Sequence, residues 1–239
     1  MTRLLASVNS LDEARIALRY ADIIDLKQPE QGALGALDVA TITAIVAECK
    51  GRRPLSATIG DLPFQPECII PAVQRLSKTG VDYIKIGFFP HGDIANTLLE
   101  LSQLSAGQAL IAVLFADTQF DFEHLKFIQS TGFKGVMLDT LDKTQGSLLN
   151  VMALPRIEEF VSLAKMNGLL CGLAGSLTCE DIAELLPLAT DYLGFRGALC
   201  EHANRVARLS EQRLAQVKAA ISHDTLGNVS SSGLLCSPV

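Results

Sequence analysis

The chain repeats one pattern eight times: an apolar run of about six residues, then an amphipathic stretch of about 10–15. The runs predict strands over residues 3–8, 22–27, 54–59, 83–88, 109–115, 135–140, 169–175 and 192–197. The stretches between and after them predict helices over 10–20, 38–49, 67–79, 93–105, 121–131, 155–167, 178–186 and 210–222. Ser10, Asp38 and Thr178 suit N-cap positions. Glu13 and Asp181 stand where a capping box places its acidic residue, and Pro155 suits a first helical turn. Gly51, Gly80, Gly107, Gly132 and Gly168 follow helices, as helix-ending glycines do. Eight strand–helix units in one chain of 239 residues match the α/β class and, within it, the (β/α)8 TIM barrel. An open doubly wound sheet is the alternative, but it usually has fewer strands. No composition break divides the chain, so residues 1–222 read as a single barrel domain. Residues 223–239, rich in Ser and Gly and without periodicity, read as a disordered tail.

Side chains alternate faces along a strand. Ile24 and Leu26 therefore face one way, and Asp25 and Lys27 the other. Applied to every strand, the same alternation turns Asp25, Lys27, Ser56, Thr58, Lys85, Asp139 and Arg196 inward. A barrel interior is normally filled by branched apolar residues, and catalytic groups stand at the C-terminal ends of its strands. Seven polar residues from five strands at one mouth are more than core stability requires. Asp25 with Lys27 also fits a structural ion pair. A lysine desolvated beside other cations loses its proton more readily, and the resulting amine is a nucleophile. The inward lysines therefore point to an enzyme and toward imine chemistry. Lys143 follows in the loop after the sixth strand.

The last two strands lead into glycine-bearing turns, Gly172-Leu-Ala-Gly-Ser176 and Gly194-Phe-Arg-Gly197. Phosphate is commonly held at this place in such barrels, by backbone N–H groups and a short helix N-terminus. Gly175, Ser176 and Gly197 are the candidate contacts, and Arg196 would add charge-assisted hydrogen bonds. Tight turns alone also account for the two glycines. The Gln28–Gly35 segment reads either as a lid over the substrate or as a plain connection.

The remaining signals narrow the class. A net charge of −6 with no basic stripe argues against nucleic acid as a partner. No apolar run is long enough to cross a membrane. Six cysteines without Cys-x-x-Cys spacing, and four scattered histidines, give no metal site and fit reduced thiols in the cytoplasm.

Seven segments together resemble the (5-formylfuran-3-yl)methyl phosphate synthase family, also called 4-(hydroxymethyl)-2-furancarboxaldehyde-phosphate synthases. They are Asp22-Ile-Ile-Asp-Leu-Lys27, Gln31-Gly-Ala-Leu-Gly-Ala36, Ser56-Ala-Thr-Ile-Gly-Asp61, Asp82-Tyr-Ile-Lys-Ile-Gly87, Met137-Leu-Asp-Thr140, Leu173-Ala-Gly-Ser176 and Gly194-Phe-Arg-Gly-Ala198. The resemblance implies a TIM barrel that condenses two glyceraldehyde 3-phosphate molecules into a phosphorylated furan aldehyde, a precursor of methanofuran-type one-carbon carriers. It implies Lys27 as the Schiff-base lysine and Lys85 as a proton acceptor, with Asp25, Asp139 and Lys143 catalytic or supporting. The expected substrate is a small triose phosphate, the expected cofactor is none, and a homo-oligomer is compatible with all of this. The rival expectations are another phosphate-binding barrel aldolase, isomerase or decarboxylase, and a sugar-phosphate-binding barrel without catalysis.

Overall fold

The computed structural model describes residues 1–223. Eight parallel strands close into a barrel in sequence order, with β8 pairing back onto β1. They are β1 (Arg3–Val8), β2 (Ile23–Leu26), β3 (Leu55–Thr58), β4 (Tyr83–Gly87), β5 (Ala109–Phe115), β6 (Gly135–Asp139), β7 (Leu170–Leu173) and β8 (Tyr192–Phe195). The helices are α1 (Leu11–Ala17), α2 (Val39–Cys49), α3 (Pro66–Ser77), α4 (Ile94–Ser105), α5 (His124–Ser130), α6 (Leu148–Val151), α7 (Leu154–Met166), α8 (Asp181–Leu185) and α9 (Glu211–His223). The eight-stranded barrel expected from the alternation is therefore the fold. Of the tail expected over 223–239, residues 224–239 lie outside the described residues.

Local chemistry explains the boundaries. Ser10 accepts from Glu13 N and Asp38 from Thr41 N, so both cap their helices as expected. Helix α8 starts three residues later than the spacing predicts. Asp181 turns its carboxylate back to the N–H and hydroxyl of Thr178, which makes 178–180 a turn rather than helix. Helix α6 lies in a stretch too short to show a period; its capping box joins Ser147 and Asn150.

The alternation along the strands divides two cores. Outward residues such as Leu4, Ile24, Leu26, Ile84, Leu114 and Leu193 pack under the helices in one large apolar cluster. Inward residues, including Leu5, Ile23, Ile111, Val113, Met137 and Tyr192, fill the barrel itself. Two inward glycines make room for the large ones. A Cβ at Gly172 would lie 2.1 Å from the Tyr192 ring, and one at Gly194 would lie 2.8 Å from Met137 Cε. The lower end of the barrel is so well filled that only about 20 Å³ remains between Arg3, Leu5, Ile23, Tyr83 and Tyr192.

The Gln28–Gly35 loop is fastened rather than free. Gln28 N donates to Gly35 O at 2.8 Å, and Thr58 Oγ1 donates to the same carbonyl at 2.9 Å. Asp61 accepts from Ala33 N and Leu34 N at 2.8 and 2.7 Å. Leu34 is fully buried in the inner core. Inward Thr58 is thus spent on holding this loop.

Because Tyr192 occupies the space beside Gly172, Gly172→Ala is expected to cost about 1–3 kcal/mol by overpacking. Urea denaturation will show this as a lower midpoint at an unchanged slope.

Candidate active site

A cavity of about 770 Å³ opens at the C-terminal ends of the strands. Lys27, Lys85, Asp139 and Lys143 line its floor, and Gly175, Ser176, Arg196 and Gly197 line its wall on the β7–β8 side. Inward Ser56 and Thr58 lie off its wall, whereas eight of the nine candidate catalytic and phosphate-binding residues line it. The exception is Asp25, which has no exposed surface and is not on the cavity wall.

Asp25 holds Lys85 from below. Its Oδ2 lies 2.9 Å from Lys85 Nζ and accepts from Ser7 Oγ, while Ser56 Oγ donates to Oδ1 at 2.6 Å. Burial alone would push the Asp25 carboxyl upward. Lys85, Lys27 and the Ser56 hydroxyl outweigh it and hold Asp25 below its ordinary value, so it is ionised. The pairing of Asp25 with Lys27 that the sequence allowed is thus replaced by a pairing with Lys85. The partner is supplied by the parallel register: β2 and β4 both flank β3, and Lys85 stands level with Thr58.

Asp139 is matched in the same way by Lys143, with Nζ 2.5 Å from Oδ1. Thr140 N donates to the same oxygen at 2.8 Å. Burial opposes the charge on Asp139, but Lys143 and Lys27 hold its carboxyl far below the usual range.

Lys27 is the lysine left over. It lies one residue beyond β2, its backbone N–H still bonded to Val8 O, and it is 6% exposed. No hydrogen bond or ion pair engages its Nζ among the described residues. Burial brings its pKa down from the ordinary 10.5 to about 8. Asp139 opposes that fall, while Lys143 and then Lys85 reinforce it. At pH 7 about one Lys27 in ten is then a neutral amine, against about one in three thousand for an ordinary lysine.

Arg196 has a different role from the phosphate contact expected of it. Both nitrogens of its fork reach Glu13, the closer at 2.5 Å. The remaining N–H groups donate to the carbonyls of Ser7, Arg205 and Ala207. All five donors are therefore used inside the protein. The residue ties β8 to α1 and to the 200–209 segment. Glu13 also takes Asn9 N and Leu209 N, so it joins these pieces instead of serving the helix cap alone.

The turns beside Arg196 are shaped for close approach. Gly175 has φ +103°, and a Cβ there would lie 2.8 Å from Thr140 Cγ2. Ser176 follows with φ 48°, the left-handed region that a non-glycine residue rarely occupies, and its side chain is exposed to the cavity. Gly197–Leu199 forms a single 3-10 turn. Ser7, Arg205 and Arg213 are among the residues of this chamber that sequence reasoning passed over. Ser7 was legible, since it shares the inward face of β1 with Leu5. Arg205 and Arg213 line the cavity from an irregular segment and from α9, where alternation says nothing.

No group of three or more His, Cys, Asp or Glu residues among the described residues is arranged to hold a metal. No helix among them is long and apolar enough to cross a membrane.

Lys27 carries a stability cost with a defined pH dependence. Its folded value lies below its unfolded one, so the unfolded chain binds more protons between about pH 8 and 10.5, and stability rises with pH across that window. At pH 7 the full cost, about 3 kcal/mol as an upper bound, is present. Lys27→Met is expected to raise Tm at pH 7, and the gain should shrink as pH approaches 10.5. Calorimetry of both proteins across that range checks it.

The arrangement matches known proteins in sequence as well as in fold. The family model for 4-HFC-P synthase matches residues 4–218. A Methylorubrum extorquens protein, provisionally named for (5-formylfuran-3-yl)methyl phosphate synthase, is 43% identical over 92% of this chain and 91% of its own. The (5-formylfuran-3-yl)methyl phosphate synthase of Methanocaldococcus jannaschii is 33% identical over 84% of this chain and 92% of its own. Among solved structures, phosphoribosylanthranilate isomerase from Thermotoga maritima superposes with a TM-score of 0.67 at 11% identity, covering 93% of this chain and 100% of that one. A 3-hexulose-6-phosphate synthase also reaches 0.67, at 16% identity, over 92% of this chain and 100% of that one. At such identities the structural likeness speaks for the barrel alone, whereas the sequence matches span nearly the whole domain. The chain belongs to the 4-HFC-P synthase family.

Proposed function

We propose that the protein condenses two molecules of glyceraldehyde 3-phosphate into (5-formylfuran-3-yl)methyl phosphate through an imine on Lys27. The observation that carries this reading is the lysine itself: buried, without a partner among the described residues, on the cavity floor, and brought down to about 8. An amine in that state attacks a carbonyl near neutral pH.

The chemistry needs few further parts. Lys27 Nζ adds to a triose carbonyl, and loss of water gives a protonated imine. That cation acidifies the adjacent C–H, and removal of the proton gives an enamine. The enamine carbon bonds to the second triose, after which elimination, ring closure and hydrolysis of the imine release the furan aldehyde and free Lys27. Two triose phosphates thus yield one furan phosphate, one inorganic phosphate and two waters, with no net oxidation. Lys85, Lys143 and Asp139 stand around Lys27 to move the protons, and Asp25 keeps Lys85 in place. One phosphate docks at the Gly175–Ser176 and Gly197–Leu199 turns, the latter through the N–H groups of Gly197 and Ala198, since Leu199 N already donates to Arg196 O. No cofactor enters the scheme. The product would serve a methanofuran-type one-carbon carrier, and the protein would act in the cytoplasm.

Borohydride added with glyceraldehyde 3-phosphate is expected to reduce the imine and leave a triose adduct on Lys27, located by peptide mass spectrometry. An unmodified Lys27 would refute the imine and favour acid–base chemistry of the isomerase kind. Without borohydride, a furan aldehyde absorbance should appear from glyceraldehyde 3-phosphate alone. Lys143→Gln removes the cation that most depresses Lys27 and releases Asp139 to pair with it. Both effects raise the Lys27 pKa, so the rate at pH 7 should fall at least about tenfold and the rising limb of the pH profile should move above about 8.

A further inference from the structure

Two triose phosphates bring two phosphate groups into one cavity. The glycine turns at Gly175–Ser176 and Gly197–Leu199 follow neighbouring strands, β7 and β8, and so converge on one of them. The second phosphate needs a cation elsewhere on the wall. Lys85, Lys143 and Arg196 are matched to Asp25, Asp139 and Glu13. Lys27 is committed to the carbonyl. Among the described residues, Arg205 and Arg213 line the cavity with no carboxylate at ion-pair distance.

These two arginines face different parts of the mouth. Arg213 lies on α9, which packs on the Gly197–Leu199 turn, and its charge reaches Cys200 just beyond that turn. Arg205 starts from the same wall but reaches past β1 to the loop after β2, two strands round the barrel from β8. Its Nη2 donates 2.9 Å to Gly32 O, in the loop that follows Lys27. Only this one of its five donors has a protein acceptor among the described residues. Its base is held firmly, since Arg196 Nε donates to Arg205 O at 2.8 Å. The chain approaching it passes through His202 and Ala203, both left-handed with φ 54° and 52° and both on the cavity wall. Such strain persists only where the surroundings enforce it, and it gathers at ligand sites.

We propose that Arg205 binds the phosphate of the second triose, over the loop after β2, while the glycine turns after β7 and β8, with Arg213, hold the first. The guanidinium fork suits two phosphate oxygens at once. Anchorage at Gly32 sets it over the β1–β2 side of the mouth, on the loop that continues from the imine-forming lysine. This assignment rests on the two-triose condensation proposed above and separates the two halves of the substrate by place.

Calorimetric titration with sn-glycerol 3-phosphate tests it, because that probe carries the phosphate but has no carbonyl to form an imine. The wild-type protein should bind two equivalents per chain and Arg205→Gln one. In the same variant, borohydride trapping of glyceraldehyde 3-phosphate on Lys27 should persist at the wild-type yield. The triose concentration for half-maximal furan formation should rise at least about tenfold. One equivalent bound by the wild-type protein, or two bound by Arg205→Gln with unchanged affinities, would overturn the assignment. Should Arg205→Gln fail to fold, Arg205→Lys decides: it should weaken one site and spare the other, and unchanged binding at both sites would count against Arg205. Failure of Lys27 trapping in the wild-type protein would sink the imine reading separately, since the titration does not depend on it.

Discussion

Charge pairing across the barrel mouth governs this site. Three buried carboxylates, Asp25, Asp139 and Glu13, each take a cation: Lys85, Lys143 and Arg196. Burying an ion is tolerable only when a partner and hydrogen bonds replace its water, and Asp25 has both in Lys85, Ser7 and Ser56. Lys27 enters the same space after the carboxylates are taken. Protonating it adds an unmatched charge where desolvation is already severe, so its proton is held loosely. Burial does most of this. Lys143 adds more than Lys85.

The same barrel shows why one end is reactive and the other inert. Its lower end is plugged by Tyr83, Tyr192, Ile23 and Ile111, leaving about 20 Å³ against about 770 Å³ above. Gly172 and Gly194 let the large inward residues interlock. The rigid lower half positions the lysines, and the loops above supply the unusual backbone. Of the described non-glycine residues with positive φ, Ser176, His202 and Ala203 all line the cavity. Fixed strand ends with strained loops above them are a sound way to hold a small anionic substrate against a particular amine.

Alternation made most of this legible in the sequence. The runs over 3–8 and 109–115 match β1 and β5 residue for residue. Lys27, Lys85 and Asp139 face the mouth as the side-chain period of a strand requires, whereas Arg196, just beyond β8, turns its guanidinium to Glu13 on α1. The partnerships were harder to read. Asp25 and Lys27 are two residues apart, which invites pairing, yet parallel register sets Lys85 against Asp25 through β3. Glu13 fits a capping box by spacing, but no spacing shows that a guanidinium 183 residues later will claim it. Once Glu13 takes Arg196, the donors expected to meet phosphate are gone. Arg205 lies in a segment without period, and its position is known only from the fold.

An unpartnered lysine is a cost that the packing of the rest of the chain must offset. Keeping Lys27 in its pocket at neutral pH opposes folding by up to about 3 kcal/mol, a large share of the about 5–15 kcal/mol by which domains are stable. The outer core under the helices and the apolar plug of the lower barrel supply the compensation. A carboxylate close to Lys27 Nζ would relieve the cost and, in the same step, restore the proton that silences the amine. Asp139 stands near enough to push in that direction. Lys143 occupies Asp139, so the residue that neutralises this carboxylate is also what keeps Lys27 available. Stability and reactivity at this mouth are thus set by one choice: which lysine Asp139 holds.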